Sequence, residues 1–219
     1  MSMKGFEHFT DAEIAERIRK GESQLYELLI RRMNPYLYRI GRSYNYNHHD
    51  TEDLMQETYI SAYFSLDKFE GRSGFRTWIT RIMLNHCYHK KQKFSFANEK
   101  PLEAPLENNT AMFQNNTNTE KSVLTRELGH VLENALQQIP EDYRIVFTLR
   151  ELNALSVAET ADVTGISEDN VKARLSRAKG MLRKNIEKMY SKSEIYEFNL
   201  VYCDAMVTRV MTEINKKKK

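Results

Sequence analysis

Two segments of the chain are rich in lysine and arginine and contain no acid. Six basic residues lie between residues 72 and 93, and six more lie between residues 170 and 184. A third segment, residues 50–57, has four acids and no base. Basic segments of this kind favour a polyanion such as nucleic acid, and the acidic segment favours a separate basic partner. Solvated helix faces are the alternative for such charge runs.

The second basic segment follows a pattern that is typical of a helix–turn–helix. Ser156 and Glu159 form a capping box that predicts the start of one helix. Gly165 then supplies a permissive turn, and Ser167 caps a second helix. That helix has an apolar stripe (Val171, Leu175, Ala178 and Leu182) and a polar neighbouring face with the same spacing (Lys172, Ser176, Lys179 and Arg183). Such a face fits the major groove of DNA, although a plain helix pair with a basic surface would show the same pattern.

The acidic segment lies on a helix that the sequence predicts from a cap at Asp50 or Thr51 to about Leu66. One face of this helix is apolar and suits a core: Met55, Tyr59, Ala62 and Leu66. The opposite face is acidic around an apolar centre: Asp53, Gln56, Glu57 and Ile60. Such a face suits docking against a basic helical partner, and solvated acids around one isoleucine are the alternative.

Aromatic and basic residues are interleaved between residues 67 and 93. The aromatic members include Phe69, Phe75, Trp78 and Tyr88. Bases of melted DNA stack on such rings while phosphates bind Lys and Arg, so the stretch is typical of a nucleic-acid surface. Gly71 and Gly74 break the preceding loop, which could present a pocket to an extruded base. Core packing is the alternative for Trp78 and its neighbour Ile79.

Several functional classes lack their sequence signatures. Cys87 and Cys203 form neither a disulfide framework nor a zinc spacing, and His86 and His89 lack a fourth ligand. A P-loop, a dinucleotide fingerprint and an H-E-x-x-H motif are missing from the sequence, so we expect no catalysis, no cofactor and no metal. The sequence shows neither a signal core nor the roughly 20 apolar residues of a membrane span. We therefore expect a soluble, cytoplasmic chain without membrane insertion.

Helical periodicity dominates the chain and strand patterns are scarce. This predicts an all-α fold with two small helical domains, of which the second contains the helix–turn–helix. The intervening segment is rich in asparagine and has no apolar stripe, which predicts a flexible linker. The expected ranges are 1–93 for the first domain, 94–119 for the linker, 120–190 for the second domain, and 191–219 for an amphipathic tail of unknown role.

With these parts in order, the chain resembles bacterial sigma factors of the extracytoplasmic-function (ECF) group, over residues 10–93 and 125–188. The stretch DTEDLMQETYISAY resembles the polymerase-docking helix of that family. KFEGRSGFRTWITRIMLNHCYHKKQK resembles its segment for promoter melting and −10 reading, and the stretch from Ile139 to Lys184 resembles its −35-reading domain. Two modules in the right order are more specific than either motif alone.

The resemblance implies three sets of site residues. The set for the clamp helices of core RNA polymerase is Asp53, Gln56, Glu57 and Ile60. The set for the −10 element is Phe69, Arg72, Ser73, Phe75, Arg76, Trp78, Asn85, Lys90 and Lys91. The set for the −35 element is Asn170, Lys172, Ala173, Arg174, Ser176, Arg177 and Lys179. The chain departs from the family after Asn85, where HCYHKK stands in place of small and aliphatic residues, so the −10 bases it reads are not implied.

The implied function is a specificity subunit that directs core polymerase to promoter DNA, with an anti-sigma factor as a further partner. The reach of the chain agrees with this function. The linker extends to at most about 85 Å at roughly 3.3 Å per residue, and DNA sites one or two turns apart, at about 34 Å each, lie within that distance. The rival hypothesis is a helix–turn–helix regulator that does not act as a sigma subunit; it would usually dimerise and would not need the acidic face.

Overall fold

The computed structural model describes residues 8–97, 119–189 and 206–212. All regular structure within these ranges is helical, which confirms the predicted all-α fold. The helices are α1 Asp11–Arg19, α2 Tyr26–Ser43, α3 His48–Phe64, α4 Phe75–Ala97, α5 Thr119–Gln137, α6 Glu141–Phe147, α7 Val157–Thr164, α8 Glu168–Met189 and α9 206–212. Short 3-10 turns occupy Ser23–Leu25 and Leu66–Lys68, and a π-helical turn, Thr148–Leu152, follows α6.

Helices α1–α4 form an N-terminal bundle. The types and spacing of Thr10 and Glu13 predict a capping box, and both of its hydrogen bonds form at the start of α1. Helix α2 contains Pro35 and continues through it without interruption. Its buried side includes Leu29, Met33, Leu37 and Ile40, each at most 1% exposed. These side chains form the centre on which the other three helices pack.

Helix α3 begins earlier than the sequence predicts. The predicted caps Asp50 and Thr51 are wrong, since Asn47 is the N-cap and its side-chain oxygen accepts a hydrogen bond from the Asp50 amide at 2.8 Å. Thr51 is instead fully buried, and its hydroxyl donates to the carbonyl of Asn47 at 2.7 Å. It faces Gly41 of α2, where the absence of a side chain lets the two helices approach closely.

Helices α5–α8 form a C-terminal bundle that contains the predicted helix–turn–helix. The Ser156–Glu159 capping box starts α7, and Gly165 ends it in the left-handed conformation with φ 69°. The Ser167 hydroxyl then accepts a hydrogen bond from the amide of Asn170 at the start of α8. These local predictions are confirmed. Each depends on contacts between residues three or four positions apart, which the spacing of residue types in the sequence indicates directly.

The two bundles pack against each other through polar contacts that involve α2. Arg42 and Glu133 form an ion pair at 2.5 Å, with side chains only 8% and 15% exposed. Arg144 is buried and donates from Nε to the carbonyl of Ser43 at 2.6 Å. Arg39 donates to the carbonyl of Leu152 at 2.8 Å. The described bundles therefore form a closed arrangement rather than two separated bodies.

Two sequence predictions fall largely outside the described residues. Of the predicted linker, residues 94–97 belong to α4 and Thr119 begins α5, while residues 98–118 lie outside the described ranges. The predicted amphipathic tail is described only as α9, whose side chains, including those of Met206, Val207 and Val210, are exposed. Cys203 and Ile214 lie outside the described residues.

Candidate protein and nucleic-acid interfaces

Helix α3 presents the acidic face that the sequence predicts. Asp53, Gln56 and Glu57 are exposed, and Ile60 is 51% exposed at their centre. The opposite face of α3 packs into the N-terminal bundle, where Tyr59 and Ala62 are buried and Met55 is half-buried; Leu66, in the turn just after α3, is also buried. The helix is therefore anchored on one side and free to bind a partner on the other.

An open groove of about 510 Å³ adjoins this acidic face, between α2 and α3. Its lining is mostly apolar and aromatic, and includes Ile30, Met55, Tyr59, Ile60, Tyr63 and Phe64. Phe64 is 81% exposed, which is unusual for so large an apolar side chain. Sequence reasoning missed the groove because one wall comes from α2; only the exposed Tyr63 and Phe64 at the end of α3 could have indicated it.

The tyrosine hydroxyls beneath the groove fix its floor. Tyr26 donates to the carbonyl of Tyr59 at 2.7 Å, and the hydroxyl of Tyr59 lies 2.8 Å from the side-chain oxygen of Asn34. Burial raises the pKa of both phenols above their usual range, so both stay protonated donors. A rigid floor of this kind favours a preformed binding surface.

Histidines adjoin the acids of the α3 face. His49 Nδ1 lies 3.6 Å from Asp53, and His86 Nδ1 lies 3.6 Å from Glu57. The first pair lies within α3 at i,i+4 spacing, whereas the second joins α3 to α4.

The aromatic residues predicted to contact DNA form a cluster at the start of α4. The rings of Phe69, Phe75 and Trp78 lie 5.4–5.5 Å apart between centroids. Phe69 and Phe75 are 4% and 2% exposed, so neither offers a face for base stacking in this arrangement, and their direct contact with the −10 element stays a prediction. They support the loop before α4, and Trp78 is half-buried on the same cluster.

The loop and helix beyond this cluster hold the remaining −10 candidates. Arg72 is exposed, Ser73 is half-buried, and Gly71 between Glu70 and Arg72 has φ 72°. Asn85 is exposed on α4. Arg76 is half-buried, with its guanidinium 4.1 Å from the centroid of the Tyr36 ring.

The two lysines of the −10 set are engaged by acids. Lys90 lies 2.5 Å from Asp50, and Lys91 lies 2.7 Å from Glu141 of the C-terminal bundle.

Helix α8 presents the predicted −35 face. Asn170, Lys172, Ala173, Ser176, Arg177 and Lys179 are exposed, and Arg174 is half-buried. The apolar stripe faces the bundle, with Val171 and Ala178 fully buried and Leu175 and Leu182 half-buried.

Three of the cations on this face of α8 lie near acids: Lys172 near Asp169 at 3.2 Å, Arg174 near Asp142 at 3.4 Å, and Lys179 near Glu151 at 2.9 Å. Among the described residues, Arg177 has no ion pair.

Residues with metal or redox chemistry do not assemble into a site in the described ranges. No group of three or more potential metal-ligating side chains occurs there. Cys87 is fully buried, and burial raises the pKa of its thiol to about 12. Within the same ranges, no helix combines the length and the apolar character needed to cross a membrane.

Comparisons with known proteins match both bundles to sigma-70 families. The family "Sigma-70 region 2" matches residues 29–94, and the family "Sigma-70, region 4" matches residues 130–182. The class of protein is therefore that of sigma-70-type factors, and a helix–turn–helix regulator outside this class is not favoured.

Similar proteins narrow the class. The ECF RNA polymerase sigma-E factor of Haemophilus influenzae is 30% identical over 185 residues, which cover 83% of this chain and 97% of that protein. The sigma-E factor of Escherichia coli K12 is 29% identical over 185 residues, covering 83% of this chain and 96% of that protein. The chain belongs to the ECF RNA polymerase sigma factors.

Two solved structures share the fold. CnrH, in complex with the cytosolic domain of CnrY, aligns with a TM-score of 0.58 at 22% identity, covering 81% of this chain and 97% of CnrH. The sigma factor RpoE of Bartonella quintana, in complex with the anti-sigma factor NepR, aligns with a TM-score of 0.59 at 22% identity, covering 75% of this chain and 96% of RpoE. At this identity the likeness concerns the fold alone.

Proposed function

We propose that this ECF sigma factor binds core RNA polymerase through α3, reads the −10 promoter element with the loop and exposed face of α4, and reads the −35 element with α8. The observation that carries the proposal is the α3 face, where three polar side chains surround the half-exposed Ile60 beside an apolar groove. A docking helix needs such a combination, because charges steer a basic partner while apolar contacts supply affinity.

Each bundle has its own role in the proposed function. We assign residues 8–93 to polymerase docking and −10 reading, and residues 120–189 to −35 reading. The polymerase contact set extends beyond Asp53, Gln56, Glu57 and Ile60 to the groove residues Tyr63 and Phe64, whose exposed rings continue the apolar surface.

The −10 set is narrower than the sequence implied. Arg72, Ser73 and Asn85 are accessible for direct contact, whereas Phe69 and Phe75 position the loop. Arg76, Lys90 and Lys91 become available once their intrachain partners are displaced. Trp78 remains a candidate for one wall of a base pocket.

The α8 set contains both phosphate and base contacts. Arg174 and Lys179 lie toward acids at the border of the exposed face, where phosphates would replace the acids. Lys172, Ser176 and Arg177 lie on the exposed face that enters the groove.

An anti-sigma partner and a cytoplasmic location complete the proposal. Both comparison structures contain a bound second protein: the cytosolic domain of CnrY in one case and the anti-sigma factor NepR in the other. A sigma factor acts where RNA polymerase and the chromosome are, which is the cytoplasm of a bacterium.

The docking assignment is tested by charge reversal. Asp53→Lys combined with Glu57→Lys should weaken binding to core polymerase at least tenfold, because two attractive contacts become repulsive. Both side chains are exposed, so helical circular dichroism should stay unchanged. Binding is measured by fluorescence titration of labelled sigma factor with core polymerase, followed by run-off transcription.

The matched control is Glu16→Lys combined with Glu187→Lys. Both residues are exposed acids outside the α3 face, and the change in net charge is the same. If the control weakens polymerase binding as much as the test variant, or if neither does, the α3 assignment is wrong.

A further inference from the structure

We propose that α9 is an intrachain ligand of the groove between α2 and α3: its apolar face fills the groove, and the basic residues around it bind the acids of α3. Helix α9 and core polymerase then compete for one surface. This competition rests on the proposed function of α3, whereas the docking of α9 rests only on the surfaces and charges of the chain itself.

Helix α9 presents an apolar face that is uncovered in this arrangement. Met206, Val207, Val210 and Met211 are 47–55% exposed. Their spacing puts them on one side of the helix, and Ile214 continues the same spacing in the sequence. Several exposed apolar residues on one face of a helix are typical of a helix that binds another surface.

The groove between α2 and α3 offers an apolar surface that is also uncovered. It has a volume of about 510 Å³, and its α3 side includes Ile60, Tyr63 and Phe64, which are 51%, 37% and 81% exposed. The hydrogen bond from Tyr26 to the carbonyl of Tyr59 fixes its floor. An amphipathic helix binds such a groove through apolar side chains three and four positions apart, which is the spacing in α9.

The charges around the two surfaces are opposite. Glu52 lines the groove, and Asp53 and Glu57 are exposed beside it on α3. Residues 206–219 contain five bases and one acid, and residues 216–219 are all lysine. The acidic face of α3 suits a basic amphipathic helix, so the chain carries both members of such a pair.

The chain is long enough to bring α9 to the groove. Residues 190–205 connect α8 to α9 and extend to at most about 50 Å at roughly 3.3 Å per residue. A compact chain of this length has a radius of gyration of about 17 Å and hence a diameter of about 45 Å. The connection can therefore span the molecule, and it holds α9 at a high effective concentration near the groove.

A membrane surface is the other class of partner that a basic amphipathic helix can bind. The groove is favoured because the same chain supplies an apolar surface with an acidic border. Membrane binding is therefore one outcome of the test.

Photo-crosslinking tests the contact in the full chain. The photoreactive residue p-benzoylphenylalanine replaces Phe64, whose ring is 81% exposed in the groove. After irradiation we expect crosslinks within one chain from position 64 to residues 206–211, identified by mass spectrometry. A higher salt concentration should lower their yield, because exposed charges are screened.

The test variant is Val207→Gln combined with Val210→Gln, and the control is Thr208→Gln combined with Thr212→Gln. Each puts two glutamines into α9 without changing the net charge, but the control alters the opposite, polar side of the helix. The crosslink should be lost in the test variant and kept in the control.

Binding to core polymerase is then compared among chains that keep Phe64. We expect the test variant to bind about fivefold more tightly than the wild type, which corresponds to a groove that α9 occupies in about four-fifths of the free molecules. The control should change the affinity less than about twofold, because it leaves the apolar face intact.

The absence of crosslinks to α9, or crosslinks only between two chains, would overturn the inference. Equal effects of the test and control variants would refute the apolar contact. If the wild type binds phosphatidylglycerol vesicles, the test variant does not, and no crosslink forms within the chain, α9 binds a membrane surface instead. A crosslink within the chain with unchanged polymerase affinity would support the docking of α9 and refute the assignment of Tyr63 and Phe64 to polymerase binding, so the two proposals fail separately.

Discussion

Gly41→Ala tests the close approach of α2 and α3, which positions the polymerase-docking face. A β-carbon at position 41 would lie 2.5 Å from Cγ2 and 3.0 Å from Oγ1 of Thr51. Thr51 is fully buried, and its hydroxyl bonds to the carbonyl of Asn47, so its side chain cannot turn away without breaking that bond. The added methyl group can be accommodated only if the helices move apart.

Two opposing effects set the size of the change in the free energy of unfolding. Alanine is favoured over glycine inside a helix by about 1 kcal/mol, whereas overpacking a filled site costs about 1–3 kcal/mol. Gly41→Ala should therefore lower the stability by up to about 2 kcal/mol.

Gly180→Ala in α8 is the matched control. A β-carbon there has no described neighbour within 4 Å, so only helix propensity acts and the stability should rise by about 1 kcal/mol. The difference between the two alanine variants, about 1–3 kcal/mol, isolates the steric cost at Gly41.

Urea denaturation followed by far-ultraviolet circular dichroism measures both variants. Adding Thr51→Ser to Gly41→Ala removes Cγ2, the nearest atom, and should recover part of the loss while keeping the buried hydroxyl bond. If Gly41→Ala stabilises the chain as much as Gly180→Ala does, the close approach of α2 and α3 is refuted.

Three further predictions concern DNA binding, the linker and acid. Arg177→Ala should lower the binding free energy by about 1–3 kcal/mol at one base pair of a −35 duplex. Lys179→Ala should weaken binding to all duplexes alike and lower the slope of log affinity against log salt concentration by about one phosphate contact. Titration of single-base duplex variants at several salt concentrations separates the two effects, and identical effects would contradict base reading. Mild chymotrypsin should cut after Phe113, within residues 98–118, and the two fragments should co-elute in gel filtration because the bundles contact each other. Resistance to cleavage at this site would contradict a flexible linker. Hydrogen bonds from the Ser156 amide and the Thr77 hydroxyl lower the pKa of Glu159 in the folded chain, so its contribution to stability is present above the ordinary value of 4.5 and is lost as the pH falls below it. The free energy of unfolding, measured by urea denaturation, should therefore fall as the pH drops below 4.5, and it should fall less steeply in Glu159→Gln.

The sequence by itself determined the local features of this protein. The capping boxes at Thr10 and Ser156, the turn at Gly165 and the opposed faces of α3 are confirmed by the structure. Each depends on residues within about one helical turn, so the spacing of residue types encodes it directly. The start of α3 was missed because several capping residues follow one another, and Asn47 supplies the cap ahead of Asp50.

Only the tertiary structure decided which residues are accessible and what they contact. The pattern of aromatic and basic residues before α4 fits both a base-stacking surface and a core, and packing places Phe69 and Phe75 in the core. The contacts of Thr77 with Glu159 and of Arg81 with Asp162 join residues more than eighty positions apart. Periodicity reports the faces of a single helix and carries no information about which distant helix covers each face, because that depends on how the whole chain fills its core.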